Sequence, residues 1–126
     1  MVLADCFYEW KKVGTRKVPY RILLKDGAAF AFAGLWDSWM HDGKELRSCL
    51  IITTQPNRLV SKIHDRMPVI LPTALEKQWL SDVPLDRVGE FLKPFDDTKM
   101  ISYEVSRDIN FPQNDHIGVT KPVHAK

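Results

Sequence analysis

The segment Pro19-Tyr20-Arg21-Ile22-Leu23-Leu24-Lys25-Asp26-Gly27 decides the fold class, because an apolar strand pattern runs directly into a tight-turn signal. A second apolar strand, Ala28 to Leu35, follows this turn. Upstream, Leu3 to Lys11 also has strand composition and reaches Pro19 through a turn at Gly14. The sequence therefore predicts an antiparallel meander of short strands.

The rest of the chain extends this meander and adds helices. Thr73-Ala74-Leu75-Glu76 has the form of a capping box and predicts a helix to about Leu80, and Pro84 opens a second helix to about Leu92. The remaining predictions are a loop at Asp37 to Leu46, strands at Arg47 to Thr53, Met67 to Leu71 and Met100 to Ser106, a helical turn at Asn57 to Ile63, and mostly loop from Arg107 onward. We expect an α+β fold: one domain over residues 1–126, mostly antiparallel β-sheet with two short helices.

Composition narrows the class of protein. A length of 126 residues with 44% hydrophobic content suits one packed domain. The longest apolar run, Gly27 to Trp36, is far shorter than the ~20 residues that span a bilayer, and no signal-peptide pattern precedes it. We therefore expect no membrane partner and a cytoplasmic location. The first strand begins without a polar leader, which suggests a domain truncated at its N-terminal side.

Charge and cysteine usage add two expectations. The net charge of +2 is too small to indicate nucleic-acid binding, but Lys11, Lys12, Arg16 and Lys17 cluster behind Trp10. This cluster is either a phosphate-facing patch beside an aromatic or a solvated hairpin turn. The two cysteines, Cys6 and Cys49, lack metal-ligand spacing, so we expect free, buried thiols, no metal and no cofactor.

Two groups of residues suggest chemistry. In Ile63-His64-Asp65-Arg66-Met67-Pro68, three ionisable side chains stand at the entrance of an apolar strand, where packing alone does not require them. In Phe7-Tyr8-Glu9-Trp10, a carboxylate lies among aromatics, a setting that raises the pKa of a carboxyl group. Glu9 is either such a functional acid or an ordinary surface carboxylate paired with Lys11.

These motifs, with Phe32-Ala33-Gly34-Leu35-Trp36 and Ile51-Ile52-Thr53-Thr54 between them, occur in a characteristic order. The chain resembles the SOS response-associated peptidase (SRAP) family, the abasic-site processing proteins of the DNA damage response. The resemblance covers almost the whole chain but only the C-terminal half of the family domain. One departure is Cys6, where family members commonly have glycine in an Asp-Gly-Phe-Tyr-Glu-Trp type motif.

The resemblance implies roles for individual residues. It places Glu9 at the active site as a proton shuttle and makes His64 act on the deoxyribose ring oxygen, so both are expected to be catalytic. Thr53 is expected to contact DNA, although its hydroxyl could instead cap a turn. Supporting or DNA-binding roles are expected for Asp65, Arg66, Trp10, Lys11 and Lys12, whereas His41, His116 and His124 are expected on the surface.

The implied partner is single-stranded DNA with abasic sites. In intact family members an N-terminal cysteine, exposed by self-removal of Met, closes a thiazolidine with the abasic aldehyde, and this peptidase and lyase-type chemistry needs an α-amine and a thiol on one residue. The chain begins Met1-Val2, so we expect the nucleophile to be missing. The alternative is a noncatalytic or vestigial single-stranded DNA-binding fragment. A separate Glu/His hydrolase has little support, since no serine or metal pattern supplies a nucleophile.

Overall fold

A computed structural model describes residues 1–123, and His124 lies outside the described residues. Its strands, in chain order, are β1 (Val2–Ala4), β2 (Cys6–Val13), β3 (Arg16–Leu24), β4 (Phe30–Phe32), β5 (Gly34–His41), β6 (Lys44–Ile51), β7 (Thr53–Thr54), β8 (Met67–Pro68), β9 (Ile70–Leu71) and β10 (Met100–Glu104). One α-helix, α1 (Thr73–Trp79), follows β9, and a 3-10 helix covers Leu85–Glu90. Shorter 3-10 turns cover Val60–Lys62, Asp97–Lys99, Arg107–Asn110 and Ile117–Thr120.

The strands form antiparallel ladders in the orders β1-β4-β9, β10-β3-β2, β5-β6 and β7-β8. Three residues between strands join these small sheets through backbone hydrogen bonds. Ala33 N–H donates to Val69 O, Val69 N–H donates to Ile52 O, and Ile52 N–H donates to Ala33 O, each at 2.9 Å. The predicted mostly antiparallel fold with two short helical segments is confirmed.

Several predicted boundaries are wrong. The strand Leu3 to Lys11 breaks at Asp5 into β1 and β2, which belong to different sheets. The strands predicted at Ala28 to Leu35 and Met67 to Leu71 are interrupted at Ala33 and Val69, where the chain passes from one sheet to the next. Backbone pairing between distant segments, which strand composition does not encode, sets these breaks.

The predicted loop Asp37 to Leu46 is also wrong, because these residues belong to the hairpin β5–β6. Its turn is Asp42-Gly43, with φ of 51° and 73°. Two consecutive positive φ angles are typical of the tight hairpin turn that Asp-Gly favours. The same signal could therefore have predicted the hairpin.

The helical predictions need smaller corrections. The capping box does not form, because Pro72 is the N-cap and Thr73 is already the first helical residue. The segment Pro84 to Leu92 is a 3-10 helix over Leu85–Glu90, and the tail after Arg107 contains two 3-10 turns.

Two apolar clusters stabilise the fold. The larger contains Ile22, Phe30, Phe32, Val60, Met67, Ile70 and Met100, and the smaller contains Ala33, Val69, Leu71 and Phe91. Val60 and Met67 flank the segment that carries His64, so the larger cluster fixes both ends of that segment. Among the helices in residues 1–123, none is long and apolar enough to cross a membrane.

Candidate functional site

Strand β2 places Glu9 at the margin of the larger core. Side chains alternate along a strand, so Phe7, Glu9 and Lys11 share one face. Phe7 packs edge-on against Phe32, with ring centroids 5.9 Å apart. The Glu9 carboxylate is the next side chain on this face and lies where the core ends. Glu9 pairs with Tyr20 across the ladder.

A turn held by Asn57 positions His64. The Asn57 side chain accepts a hydrogen bond from Val60 N–H at 2.9 Å and donates to Phe95 O at 2.8 Å. His64 N–H then donates to Val60 O at 2.9 Å. Sequence reasoning did not single out Asn57, although an asparagine just before a helical turn is a typical capping signal.

The two elements bring Glu9 and His64 together. His64 Nε2 lies 3.9 Å from Glu9 Oε2, with side chains 41% and 22% exposed. Burial raises the pKa of the Glu9 carboxyl, while the neighbouring imidazole and the Trp10 backbone N–H partly oppose that rise. The pair is thus accessible to a substrate, and its carboxyl has a pKa displaced toward neutrality.

The backbone of Arg66 contacts one nitrogen of the imidazole. His64 Nδ1 lies 3.1 Å from Arg66 N and 3.2 Å from Arg66 O, so these contacts suit either tautomer. The other ring nitrogen, Nε2, faces Glu9. Asp65 Oδ1, 3.3 Å from Nδ1, lies on the other side of the ring and is strongly exposed.

Arg66 clamps Thr53. Its Nη2 donates to Thr53 O at 2.6 Å and to Thr53 Oγ1 at 2.9 Å, and its Nε lies 3.3 Å from the same hydroxyl. The pairing of Thr53 with Pro68 in the β7–β8 ladder brings the two residues together. Glu9, His64, Arg66 and Thr53 therefore form one continuous cluster, called here the Glu9–His64 site.

The remaining predicted residues divide between two faces. Lys11 shares the face of Glu9, whereas Trp10 and Lys12 point to the other face of β2. Trp10 Nε1 donates to Asn110 Oδ1 at 2.7 Å, a contact between distant segments that no local pattern signals. The basic cluster is divided in the same way, because residues that pair across a ladder point to the same face. Lys17 pairs with Lys12 and lies on the face away from Glu9, whereas Arg16 pairs with Val13 and lies on the face of Glu9.

A groove that sequence reasoning missed is lined by residues adjacent to the site, since Tyr20 pairs with Glu9 and Ile63 precedes His64. It lies between β2, β3 and the turn that precedes His64, and Lys11, Lys62 and Tyr20 are among the residues that line it. The ammonium groups of Lys11 and Lys62 can contact phosphates, and the ring of Tyr20 can stack on a base, so the groove suits a single-stranded nucleic acid. Lys62 gave no sequence signal, because an isolated lysine in a short turn is ordinary.

The cysteines lie away from the Glu9–His64 site. Cys6 occupies the opposite face of β2, where burial, and next the Cys6 thiol, raise the pKa of Tyr8 to about 12. Cys6 is half-buried and Cys49 is exposed on β6, so the prediction that both thiols are buried is wrong. Within residues 1–123, no group of three or more His, Cys, Asp or Glu side chains is arranged to hold a metal ion. His41 and His116 are exposed.

A carboxylate and an imidazole therefore lie at an accessible margin of the sheet beside an anchored guanidinium, groups whose chemistry suits proton exchange and contact with an anion. The family model described as SOS response associated peptidase (SRAP) matches residues 1–112. The chain belongs to the SRAP family.

Individual relatives agree with this assignment. The chain is 47% identical over 118 residues to the abasic site processing protein YoaM of Bacillus subtilis, covering 90% of this chain and 52% of YoaM. It is 32% identical to the abasic site processing protein YMR114C of Saccharomyces cerevisiae, covering 97% of this chain and 34% of that protein. A crystal structure of a Bacteroides thetaiotaomicron protein superposes with a TM-score of 0.90 at 32% identity, covering 96% of this chain and 55% of that one. The chain spans about half the length of YoaM.

Proposed function

We propose that the Glu9–His64 site opens the sugar of an abasic site in single-stranded DNA, as part of abasic-site processing. The observation that carries the proposal is the 3.9 Å approach of His64 Nε2 to Glu9 Oε2 at an accessible margin of the core. A separation of this size leaves the two groups free to reach different oxygens of one small substrate.

Ring opening needs two proton transfers. The C1′ hydroxyl of the closed sugar loses a proton, the C1′–O4′ bond breaks, and O4′ gains a proton, which leaves an aldehyde and a free hydroxyl. The Nε2–H of His64 serves as the donor to O4′, because Nε2 is the ring nitrogen that faces Glu9. The Glu9 carboxylate receives the C1′ hydroxyl proton, a role helped by its raised pKa.

Arg66, Lys11 and Lys62 serve to hold the DNA backbone. Thr53 engages Nε and Nη2 of Arg66, and among residues 1–123 the Nη1 donors of Arg66 make no hydrogen bond, so they can meet a phosphate. The groove lined by Lys11, Lys62 and Tyr20 lies next to the site and offers a path for the adjoining nucleotides.

Neither cysteine of this sequence is suited to covalent capture of the aldehyde. Thiazolidine closure requires an α-amine and a thiol on the same residue. The α-nitrogens of Cys6 and Cys49 are peptide nitrogens within strands, so neither residue can close the ring. This chain therefore contributes ring opening and DNA binding rather than the nucleophile.

A binding comparison tests the role of Glu9. A single-stranded oligonucleotide with a natural abasic site has a C1′ hydroxyl, whereas its tetrahydrofuran analogue lacks one. We expect tighter binding of the natural site by the wild-type chain, and loss of this preference in Glu9→Ala. Equal affinity of the wild type for the two oligonucleotides would show that Glu9 does not hold the hydroxyl.

A further inference from the structure

A primary amine lies beside the Glu9–His64 site. Lys11 follows Glu9 by two positions on β2, so the two side chains share one face of the strand. At roughly 3.4 Å per residue, their α-carbons lie about 7 Å apart, a distance that an extended lysine side chain can span. The amine of Lys11 can therefore reach a group held by the Glu9 carboxyl.

The surroundings of Lys11 leave this amine available to a ligand. Its side chain is half-buried and lines the same groove as Tyr20 and Ile63. Tyr20 pairs with Glu9 and Ile63 directly precedes His64, so the groove borders both groups of the site. Every ion pair within residues 1–123 has arginine or histidine as its cation, so no carboxylate there holds the Lys11 ammonium.

A primary amine next to an aldehyde has a defined chemistry. Thiazolidine closure needs an α-amine and a thiol on one residue, but imine formation needs an amine alone. Lysine amines form such Schiff bases with carbonyl substrates, and opening of an abasic sugar yields an aldehyde at C1′. Lys11 can thus make a covalent bond to the opened sugar that is different from a thiazolidine.

We propose that Lys11 captures the ring-opened abasic sugar as a reversible imine. This inference rests on the proposed function, because the closed sugar offers no aldehyde to the amine. The substrate class is an aldehyde carried by single-stranded DNA, bound so that its C1′ lies between Glu9 and Lys11.

Imine formation uses groups that the site already contains. The ammonium of Lys11 first loses a proton to water, and the neutral amine adds to C1′ of the aldehyde to give a carbinolamine. The Glu9 carboxyl, which gained a proton during ring opening, protonates the carbinolamine hydroxyl. Water leaves as the C–O bond breaks, a protonated C=N bond forms, and Glu9 returns to the carboxylate. Addition of water reverses these steps and releases the aldehyde.

Lys11 thereby has two roles that one substitution separates. As an ammonium it contacts the DNA backbone, and as a neutral amine it bonds to the aldehyde. Lys11→Arg keeps a cation for the phosphates but removes the nucleophilic amine, because a guanidinium stays protonated. Lys12→Arg makes the same change at the neighbouring lysine on the opposite face of β2 and is the matched control.

Reductive trapping with two single-stranded oligonucleotides tests the proposal. One carries a natural abasic site, and the other carries an acyclic aldehyde without a hydroxyl that could close a ring on it. Each is incubated with the 126-residue chain and cyanoborohydride, and the adduct is measured on a denaturing gel and located by peptide mapping. The wild type should form an adduct at Lys11 with both oligonucleotides. Lys11→Arg should lower the yield by about tenfold or more, and Lys12→Arg should leave it unchanged.

A binding control separates lost capture from lost affinity. The affinity of Lys11→Arg for an oligonucleotide with the tetrahydrofuran analogue should stay within about twofold of the wild type, because the charge is kept. The proposal is overturned by an adduct located on another amine, by an unchanged yield in Lys11→Arg, or by the absence of an adduct with the acyclic aldehyde. Capture at Lys11 of the acyclic aldehyde alone would support this role and contradict ring opening by Glu9 and His64, so the two failures are distinguishable.

Discussion

The imidazole of His64 faces the carboxylate of Glu9 across 3.9 Å, although one residue lies on an edge strand and the other at the end of a 3-10 turn. The turn is anchored by Asn57 and the strand by its ladder with β3. The pair is therefore positioned by two independent supports, which can be perturbed one at a time.

Replacing the partly buried carboxylate should stabilise the fold at neutral and higher pH. Burial raises the pKa of Glu9 in the folded state, so ionisation there costs stability once the pH exceeds that raised value. Below the ordinary carboxyl range, Glu9 is protonated in both states and the cost vanishes. Glu9→Gln should gain roughly 0.5–1 kcal/mol in urea unfolding at pH 8, and less at pH 3.5.

The control for this prediction is Asp115→Asn, at an exposed carboxylate away from the site. It should change the free energy of unfolding little at either pH. A loss of stability in Glu9→Gln at pH 8 would show that the carboxylate is held by favourable partners rather than by an unfavourable, desolvated setting.

The support under His64 should be measurable through Asn57. Asn57→Ala removes the acceptor for Val60 N–H and the donor to Phe95 O, and should cost about 1–2 kcal/mol of unfolding free energy. Ser61→Ala, at an exposed position in the same turn, should cost much less. Equal effects of the two substitutions in urea titrations would remove Asn57 from the account of how the site is positioned.

Thr53 should affect DNA binding through Arg66. Thr53→Val removes the hydroxyl that Nη2 and Nε engage and leaves only the bond from Nη2 to Thr53 O, so the guanidinium is held less firmly. Fluorescence anisotropy with a labelled single-stranded oligonucleotide should show about a 3–10-fold weaker affinity, consistent with loss of one charge-assisted contact. Arg66→Lys should also weaken binding, since one ammonium cannot replace the guanidinium fork. Unchanged affinity in both variants would place the DNA elsewhere.

Binding to single-stranded DNA should depend strongly on salt, and the groove lysines should account for part of that dependence. Each phosphate contact on a single strand contributes about 0.7 to the slope of log K against log salt concentration. Lys11→Gln and Lys62→Gln should each reduce the slope by about this amount, because both residues line the groove. Lys77→Gln, on α1, is the matched control and should leave the slope unchanged. Tight binding that is insensitive to salt would contradict the proposed path.

The sequence predicted the parts of the fold that depend on local pattern. The Asp26-Gly27 turn, the apolar strand before it and the helix after Pro72 all follow from residue types within a few positions. The breaks at Asp5, Ala33 and Val69 could not be predicted in this way, because they arise where a strand leaves one sheet and pairs in another.

The site was predictable only in part for the same reason. Alternation along β2 shows that Lys11 shares the face of Glu9 and that Lys12 does not, so the division of the basic cluster was available from the strand prediction. The approach of His64 to Glu9 came instead from family resemblance, since no spacing rule relates residues so far apart. The contribution of Lys62 required the turn to be seen in place against the sheet.

The central claim, that Glu9 and His64 open the abasic sugar, can be tested without any nucleophile from the protein. The measurement is the rate at which an excess of a hydroxylamine aldehyde probe captures a single-stranded abasic oligonucleotide, under conditions where ring opening limits capture. The wild-type chain should accelerate capture by about 100-fold or more. His64→Gln and Glu9→Gln should each lose most of this acceleration. The control Lys12→Gln, on the opposite face of β2, should keep it. No acceleration by the wild type, or equal acceleration by His64→Gln, would contradict the account.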